Sequence, residues 1–312
     1  MGIEAVWDRL AREAAVRATF LLPDATRRRI ERRARGREEA HKLWRADCVI
    51  VSYGKSGRTW LRVMLSRFYQ LRFGLPMRSL FNFDNLHRRN EAIPKVLFTH
   101  DNYIRDYTGN FDSKVDFSGK KVVLLVRHPA DVAVSQYFQW RFRMAAGKKR
   151  INGYPPHGAE VSIFAFVMRE GTMLEKVVEF MNAWARALPD LDSSLVIRYE
   201  DMRAAPETSL HRILTFMGSD PSEEEVSQAV EFASFDKMRS LEARNVFWLS
   251  GRQLLAKDKS NPDSYKVRRG KVGGYRDYFD DDQARQVDEF VRARLDPVYG
   301  YVPSECNGMR SA

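Results

Sequence analysis

Val49-Ile50-Val51-Ser52-Tyr53-Gly54-Lys55-Ser56-Gly57-Arg58-Thr59-Trp60-Leu61 passes from a short apolar run, through two glycines and a lysine, into residues with helical spacing. Val49 to Val51 read as a strand buried on both faces, because three β-branched residues sit together without polar alternation. From Thr59 onward, Trp60, Leu61, Val63, Met64, Leu65 and Phe68 recur on one helix face. Gly54 and Gly57 let the intervening backbone bend tightly and turn successive amides toward one point. A helix start behind such amides favours an anion; Lys55 can neutralise it, and Ser56 or Thr59 can donate from a hydroxyl. The spacing is not that of the common nucleotide loop GxxxxGK[ST], since the lysine precedes the second glycine. Two readings therefore stand side by side: a phosphate cradle, and a structural turn carrying a solvated lysine.

The rest of the chain repeats the strand-then-helix order. Residues 96–99 form a second apolar run ending at His100, residues 122–126 a third ending at Arg127, and residues 195–199 a fourth. Helical spacing covers 130–144, with Pro129 suited to a first helical position, then 164–188, 210–217 and 281–295, with one or two turns within 229–238. The expected fold is an α/β, three-layer domain with a central, mostly parallel sheet, in which ligands gather beyond the carboxyl ends of the strands. Residues 1–45 read as an N-terminal helical arm outside the main core, broken near Pro23 and carrying the basic run from Arg27 to Arg37. Residues 46–312 read as a single domain, and 251–274 as an extended basic loop.

Composition narrows the partners. Of 312 residues, 44% are hydrophobic and 30% charged, which excludes an intrinsically disordered chain. Lys plus Arg number 52 against 41 Asp plus Glu, a net charge of +11. That charge attracts an anion without choosing among nucleic acid, an anionic membrane surface and a phosphorylated nucleotide. Two cysteines, Cys48 and Cys306, cannot make a dense disulfide scaffold or a multi-cysteine zinc site, and the six histidines show no metal-ligand spacing, so no metal is expected. No run reaches the roughly 18 to 20 apolar residues of a membrane span, and the first residues lack the apolar core of a secretion signal. The expected location is the cytoplasm, with contact between the basic arm and a membrane surface as a secondary expectation.

Four further groups can carry chemistry. His100, at a strand end, can take a proton from a hydroxyl or amine, with Asp101 able to orient it; the alternative is a structural histidine. Arg127 and Ser135, eight residues apart across a loop and two helical turns, can meet one phosphate as a rigid donor fork and a hydroxyl; each is also an ordinary surface or helix residue. Arg268, Arg269 and Gly270 can form a second anion clamp or a solvated loop. Trp60, Phe138, Trp140 and Phe142 can line an aromatic site, although core packing accounts for most of them.

Together these segments resemble the nucleotide-dependent sulfotransferase family, specifically its soluble branch that uses 3'-phosphoadenosine-5'-phosphosulfate (PAPS). YGKSGRTWL resembles the family's YPKSGTTWL loop, which implies that Lys55, Ser56, Gly57, Arg58, Thr59 and Trp60 hold the 5'-phosphosulfate and adenine in a P-loop-like turn. LFTH at 97–100 resembles the strand end with the catalytic histidine, and VRHPADVAVSQY at 126–137 resembles RNPKDVAVSYY, implying that Arg127 and Ser135 bind the 3'-phosphate. RYEDM at 198–202 resembles YEDM and puts Tyr199 near the nucleotide; FASFDKM at 232–238 resembles TSFDxM and puts Ser234 near the adenosine. RRGKVGGY at 268–275 resembles RKGxxGDW, implying a clamp of Arg268, Arg269 and Gly270 on the 3'-phosphate end. The resemblance spans about residues 47–295 and implies transfer of a sulfuryl group to an acceptor hydroxyl or amine, with His100 as base, Lys55 stabilising the leaving group, Ser56 restraining Lys55, and no metal.

The departures are local. Gly54 stands where the family has proline, Arg58 where it has threonine, and Gly274-Tyr275 where it has Asp-Trp. Arg58 adds bulk and charge beside the nucleotide. No acceptor motif is present, so a small molecule, a lipid and a glycan are all expected acceptor classes. Two competing readings are a nucleotide-binding regulatory module without turnover and a basic polyanion or membrane-surface binder; an ATP- and magnesium-dependent kinase is weakened by the missing loop spacing.

Overall fold

The computed structural model describes residues 10, 13–14, 18–19, 21–169, 171, 173–247, 254–255 and 257–303. Cys306, most of the first 20 residues and part of the 251–274 loop lie outside the described residues.

Four strands, β1 (Cys48–Val51), β2 (Val96–Thr99), β3 (Lys121–Val126) and β4 (Ser193–Arg198), form one parallel sheet in the order β2-β1-β3-β4. Val49 pairs with Leu97 on one side and Val122 on the other, and Val123 with Leu195. The sheet is buried on both faces, and the pleat sorts its side chains. Val49, Val51, Val122, Leu124 and Val126 face one core, while Cys48, Ile50, Val123, Leu125 and Ile197 face the other.

Among the described residues, eight longer helices complete the layers: α1 (Asp24–Arg45), α2 (Arg58–Arg72), α3 (Pro129–Phe138), α4 (Met173–Ala187), α5 (Pro206–Met217), α6 (Glu223–Phe232), α7 (Phe235–Arg244) and α8 (Asp281–Arg294). Residues of α1, α3, α4 and α8 build the first core, and residues of α2, α5, α6 and α7 the second. This is the three-layer arrangement expected from the strand-helix alternation. The chain leaves β1 toward β2 on one side and passes from β3 to β4 on the other, so a topological switch lies between β1 and β3. The turn 53–57 opens at that point, where parallel sheets leave a crevice.

Several local expectations are corrected. Helix 130–144 stops as an α-helix at Phe138 and continues as a π turn, Gln139–Arg143. The stretch 164–188 is two helices, Ile163–Met168 and α4, separated around Gly171, whose φ is 68°. The one or two turns within 229–238 are parts of α6 and α7, the former fixed by a capping box between Ser222 and Glu225. Helix α1 starts just after Pro23 but is not detached, because Ala40 and Leu43 are buried in the first core. Its basic run is also partly turned inward. Arg32 pairs with Asp106 at 2.7 Å, Arg35 with Glu31 at 2.8 Å, and Arg33 lies over the Tyr107 ring.

Candidate active site

The turn after β1 takes its shape from two residues in the left-handed region, Lys55 (φ 76°) and Gly57 (φ 96°). A side chain at Gly57 would stand 2.6 Å from the Tyr199 ring, so only glycine lets Tyr199 close over the loop. Gly57 caps α2, and its carbonyl accepts from the amides of Trp60 and Leu61. The loop forms the floor of a cavity of about 1220 Å³ that runs along the carboxyl ends of β1, β2 and β3 and is lined by Lys55, Gly57, Arg58, Thr59 and Trp60. The same cavity is lined by His100, Arg127, Ser135, Tyr199, Arg268, Arg269 and Gly270. Segments up to 215 residues apart in the chain are thereby brought to one space. Ser56 is buried beneath the loop, and Ser234 is exposed; neither lines the cavity, although Ala233 and Phe235 on either side of Ser234 do.

Arg127 is the hub of one end. It donates to the Lys55 carbonyl at 3.3 Å and to the Lys271 carbonyl at 2.9 Å, pairs with Asp131 at 3.3 Å, and lies 4.4 Å from the Tyr199 ring centre. Its Nε is buried with no hydrogen-bond partner among the described residues. Asp131 also accepts from the amides of Gly273 (2.8 Å) and Tyr275 (3.0 Å), tying the late basic loop to the start of α3. Tyr199 donates to the Gly270 carbonyl at 3.4 Å. Arg268 lies over the Phe138 ring and donates to the Tyr278 hydroxyl, while Arg269 donates to Tyr278 (3.1 Å) and Asp277 (2.5 Å). Trp60 donates to the Ala233 carbonyl at 2.8 Å; of the four aromatics singled out from the sequence, only Trp60 lines the cavity.

At the other end, His100 Nδ1 lies 2.7 Å from the Ser52 carbonyl. A carbonyl only accepts, so Nδ1 carries the hydrogen and Nε2 is the lone-pair nitrogen. Asp101 does not orient the ring, contrary to expectation; it is held by Lys114 at 2.5 Å. The Nε2 lone pair faces the Arg58 guanidinium at 2.6 Å. Arg58 therefore reaches toward the histidine rather than lying along the loop. Burial and the Arg58 charge hold His100 well below the usual histidine range, which keeps it neutral near pH 7.

Several residues of the site carry no motif. Glu39 of α1 accepts from Thr99 Oγ1 at 3.1 Å, and burial pushes its carboxyl up to about 7. Arg143, on the π turn, pairs with the buried Glu242 at 3.1 Å and donates to the Leu255 carbonyl at 3.0 Å. Glu242 also accepts from the amides of Lys266 (2.7 Å) and Val267 (2.9 Å), fixing the entry to the late loop. The π turn is what redirects Arg143, and sequence periodicity gives no signal for it. Gln136 donates to the Tyr154 hydroxyl at 2.9 Å, and its Oε1 is buried without a hydrogen-bond partner among the described residues.

The cations of the cavity disturb one another. Burial, then the charges of Arg143, Arg127 and Arg268, lower the Lys55 ammonium to about 7 against the partial relief of Glu242. Lys266 is pushed down by burial and by Lys55, Arg143, Arg62 and Arg58. Burial lowers Arg58 to about 10. A multiply charged anion relieves this crowding, and the unpartnered Arg127 Nε with the left-handed loop below it fits a phosphate-bearing nucleotide.

Comparisons with known proteins give the family and the fold. Residues 45–298 match the sulfotransferase domain family. Cytosolic sulfotransferase 17 of Arabidopsis thaliana is 28% identical over 292 residues, covering 82% of this chain and 77% of that protein, and flavonol 3-sulfotransferase of Flaveria bidentis is 24% identical over 278 residues, covering 83% and 84%. Sulfotransferase 2A1 of Mus musculus is 24% identical over 184 residues, and the match spans only 59% of the length of each chain. Mouse sulfotransferase SULT7A1 complexed with PAP superposes with a TM-score of 0.55 at 20% identity over 82% of this chain and 86% of that one. Retinol dehydratase in complex with retinol and PAP gives 0.51 at 18% identity over 83% and 85%. These superpositions carry the fold, and the family match over most of the length carries membership: this chain belongs to the sulfotransferase domain family.

Proposed function

We propose that this protein transfers a sulfuryl group from PAPS to the hydroxyl of a small-molecule acceptor, leaving 3'-phosphoadenosine-5'-phosphate (PAP). The observation that carries the reading is the joining, in one cavity, of a cation-crowded glycine loop with a neutral histidine whose Nε2 lone pair faces inward. When bound, the nucleotide supplies the sulfuryl group on a phosphate leaving group. Lys55, the loop amides and Thr59 hold the 5' end, and Ser56 braces the loop from below. Arg127, Ser135, Arg268, Arg269 and Gly270 select the 3'-phosphate. Trp60 and Tyr199 flank the base and ribose, with Ser234 at the edge of that subsite.

His100 takes the proton of the acceptor hydroxyl at Nε2 while its Nδ1 hydrogen stays on Ser52, so the ring gains charge in a fixed orientation. Lys55 keeps its proton beside the developing charge on the leaving oxygen. The proposed organisation is a helical arm over 1–45 that walls one side of a catalytic domain over 46–312. Retinol in the retinol dehydratase structure supports a small molecule as acceptor here. The lipid and glycan readings draw on the basic arm, whose Arg32 is paired with Asp106 and whose Arg35 is paired with Glu31 of the same helix. No helix among the described residues is long and apolar enough to cross a membrane. A cytoplasmic location remains part of the proposal.

Calorimetric titration with PAP, AMP and ATP at one ionic strength tests the donor half. PAP is expected to bind at least about tenfold more tightly than AMP, because the 3'-phosphate adds charge-assisted hydrogen bonds of about 1.5–3 kcal/mol. Equal affinity for all three, in a folded sample, overturns the reading.

A further inference from the structure

The two ends of the cavity differ in what surrounds their cations. Lys55 is influenced by Arg143, Arg127 and Arg268, whereas Arg58 sits among Glu39, Arg62 and His100. Arg58 thus belongs electrostatically to the His100 end. One of its terminal nitrogens covers the His100 lone pair at 2.6 Å, and the other, Nη1, is buried with no hydrogen-bond partner among the described residues. Gln136 Oε1 is likewise buried and unpartnered among the described residues; a side chain at Gly54 would stand 3.1 Å from it and 3.9 Å from His100 Cε1. An apolar acceptor pressed against this wall leaves a donor and an acceptor unpaired, at a cost of about 1–3 kcal/mol each. It also leaves the base covered.

We propose that the acceptor carries an anionic group close to the hydroxyl that is sulfated, and that this group draws Arg58 off His100 and so uncovers the base. The assignment rests on the sulfotransferase reading above. An anion offers the guanidinium a charge-assisted pair in place of a neutral ring nitrogen, and a two-oxygen anion can engage both terminal nitrogens. The carboxylates nearby do not cancel the field. Asp101 is paired with Lys114, and burial pushes the Glu39 carboxyl up to about 7, which reduces its negative charge. Arg58 thereby makes the acceptor's charge a condition for proton removal, and Glu39, on α1, lines the same cavity.

The test uses PAP-saturated protein, ¹⁵N-labelled at histidine, titrated with p-cresol, 4-hydroxybenzoate and 4-hydroxybenzenesulfonate, with His100 assigned through His100→Gln. Either anion is expected to bind about tenfold more tightly than p-cresol and to shift the His100 Nε2 resonance, which p-cresol leaves unmoved. In Arg58→Met and Arg58→Thr the preference is expected to fall to within about twofold. A response to only one anion distinguishes a planar carboxylate subsite from a tetrahedral one, and supports the proposal in either case. Equal binding of all three probes, an anion preference that survives both variants, or a His100 resonance already moved by PAP alone overturns it. Failure of PAP itself to bind counts instead against the donor reading.

Discussion

The two ends of the cavity, proposed to take the donor and the acceptor, are built by different means. At the donor end the backbone does much of the work: a left-handed Lys55 and Gly57 shape the loop, Asp131 holds two amides of the late loop, and carbonyls of Lys55 and Lys271 hold Arg127. At the acceptor end side chains from separate elements meet: Glu39 from α1, Arg58 from α2, His100 after β2 and Gln136 from α3. Backbone cradles demand particular residues at fixed spacing, whereas side-chain walls can be rebuilt one residue at a time. The first construction suits a nucleotide that does not change, and the second suits an acceptor that does.

Substitutions that separate the two ends give the sharpest contrast. His100→Ala removes the base and is expected to lower kcat by about 10³-fold, in the middle of the range for lost general-base catalysis, with PAP affinity changed little. Turnover within a few fold of the parent protein would break the division at its acceptor end. Arg127→Ala is expected to do the reverse, weakening PAP by roughly 10- to 100-fold, as for charged hydrogen bonds of about 1.5–3 kcal/mol, while AMP binding changes much less. Parallel loss for PAP and AMP would mean that Arg127 shapes the loop instead of reading the 3'-phosphate.

The same contrast explains what the sequence disclosed. The four strands and the glycine turn after β1 were legible because strand runs and glycine turns are local properties of the chain, whereas the strand order that puts the turn at a switch point is not. Glu39 was not legible: on the sequence it is one acidic residue in a basic amphipathic helix, and only the packing of α1 brings it to Thr99. Arg143 and Glu242 were hidden for a related reason, since a π turn shifts the helix face by one residue without any change of composition. Arg58 was visible as a departure from the resembled loop, yet its direction is decided by the His100 lone pair and not by the motif. Asp101 misled because adjacency in sequence is not adjacency in space; a left-handed backbone at that residue turns its carboxylate to Lys114.

Proton linkage sharpens the donor end further, with a smaller effect. Free Lys55 stands at about 7 because burial and neighbouring cations disfavour its charge. A bound polyanion reverses that disfavour, so PAP binding at pH 8 is expected to take up a fraction of a proton, approaching one. Calorimetry in buffers of different ionisation enthalpy reads the uptake directly. Lys55→Arg, which stays charged throughout, is expected to abolish it; uptake that persists in this variant would assign the proton to another group.

The acceptor end has a counterpart of opposite sign in Glu39. Its folded carboxyl titrates at about 7, above the ordinary 4.5, so between these values the folded protein binds more protons than the unfolded chain. Stability from this group is therefore full below about pH 4.5 and is lost as pH rises through 7. The shift from 4.5 to about 7 caps the loss at about 3 kcal/mol. Glu39→Gln keeps an oxygen for Thr99 and removes the titration, so it is expected to be more stable than the parent at pH 8 and nearly equal at pH 5, as read by urea unfolding at both. Lys55 acts in the adjoining window, above 7, where the unfolded chain binds the extra proton and stability rises with pH. Because the two windows meet without overlapping, a parent curve and a Glu39→Gln curve that differ only below pH 7 in slope assign the carboxylate to the acceptor wall. Parallel curves across the whole range would show that Glu39 is ionised and solvated, and the division between the two ends would then lie closer to His100 than to α1.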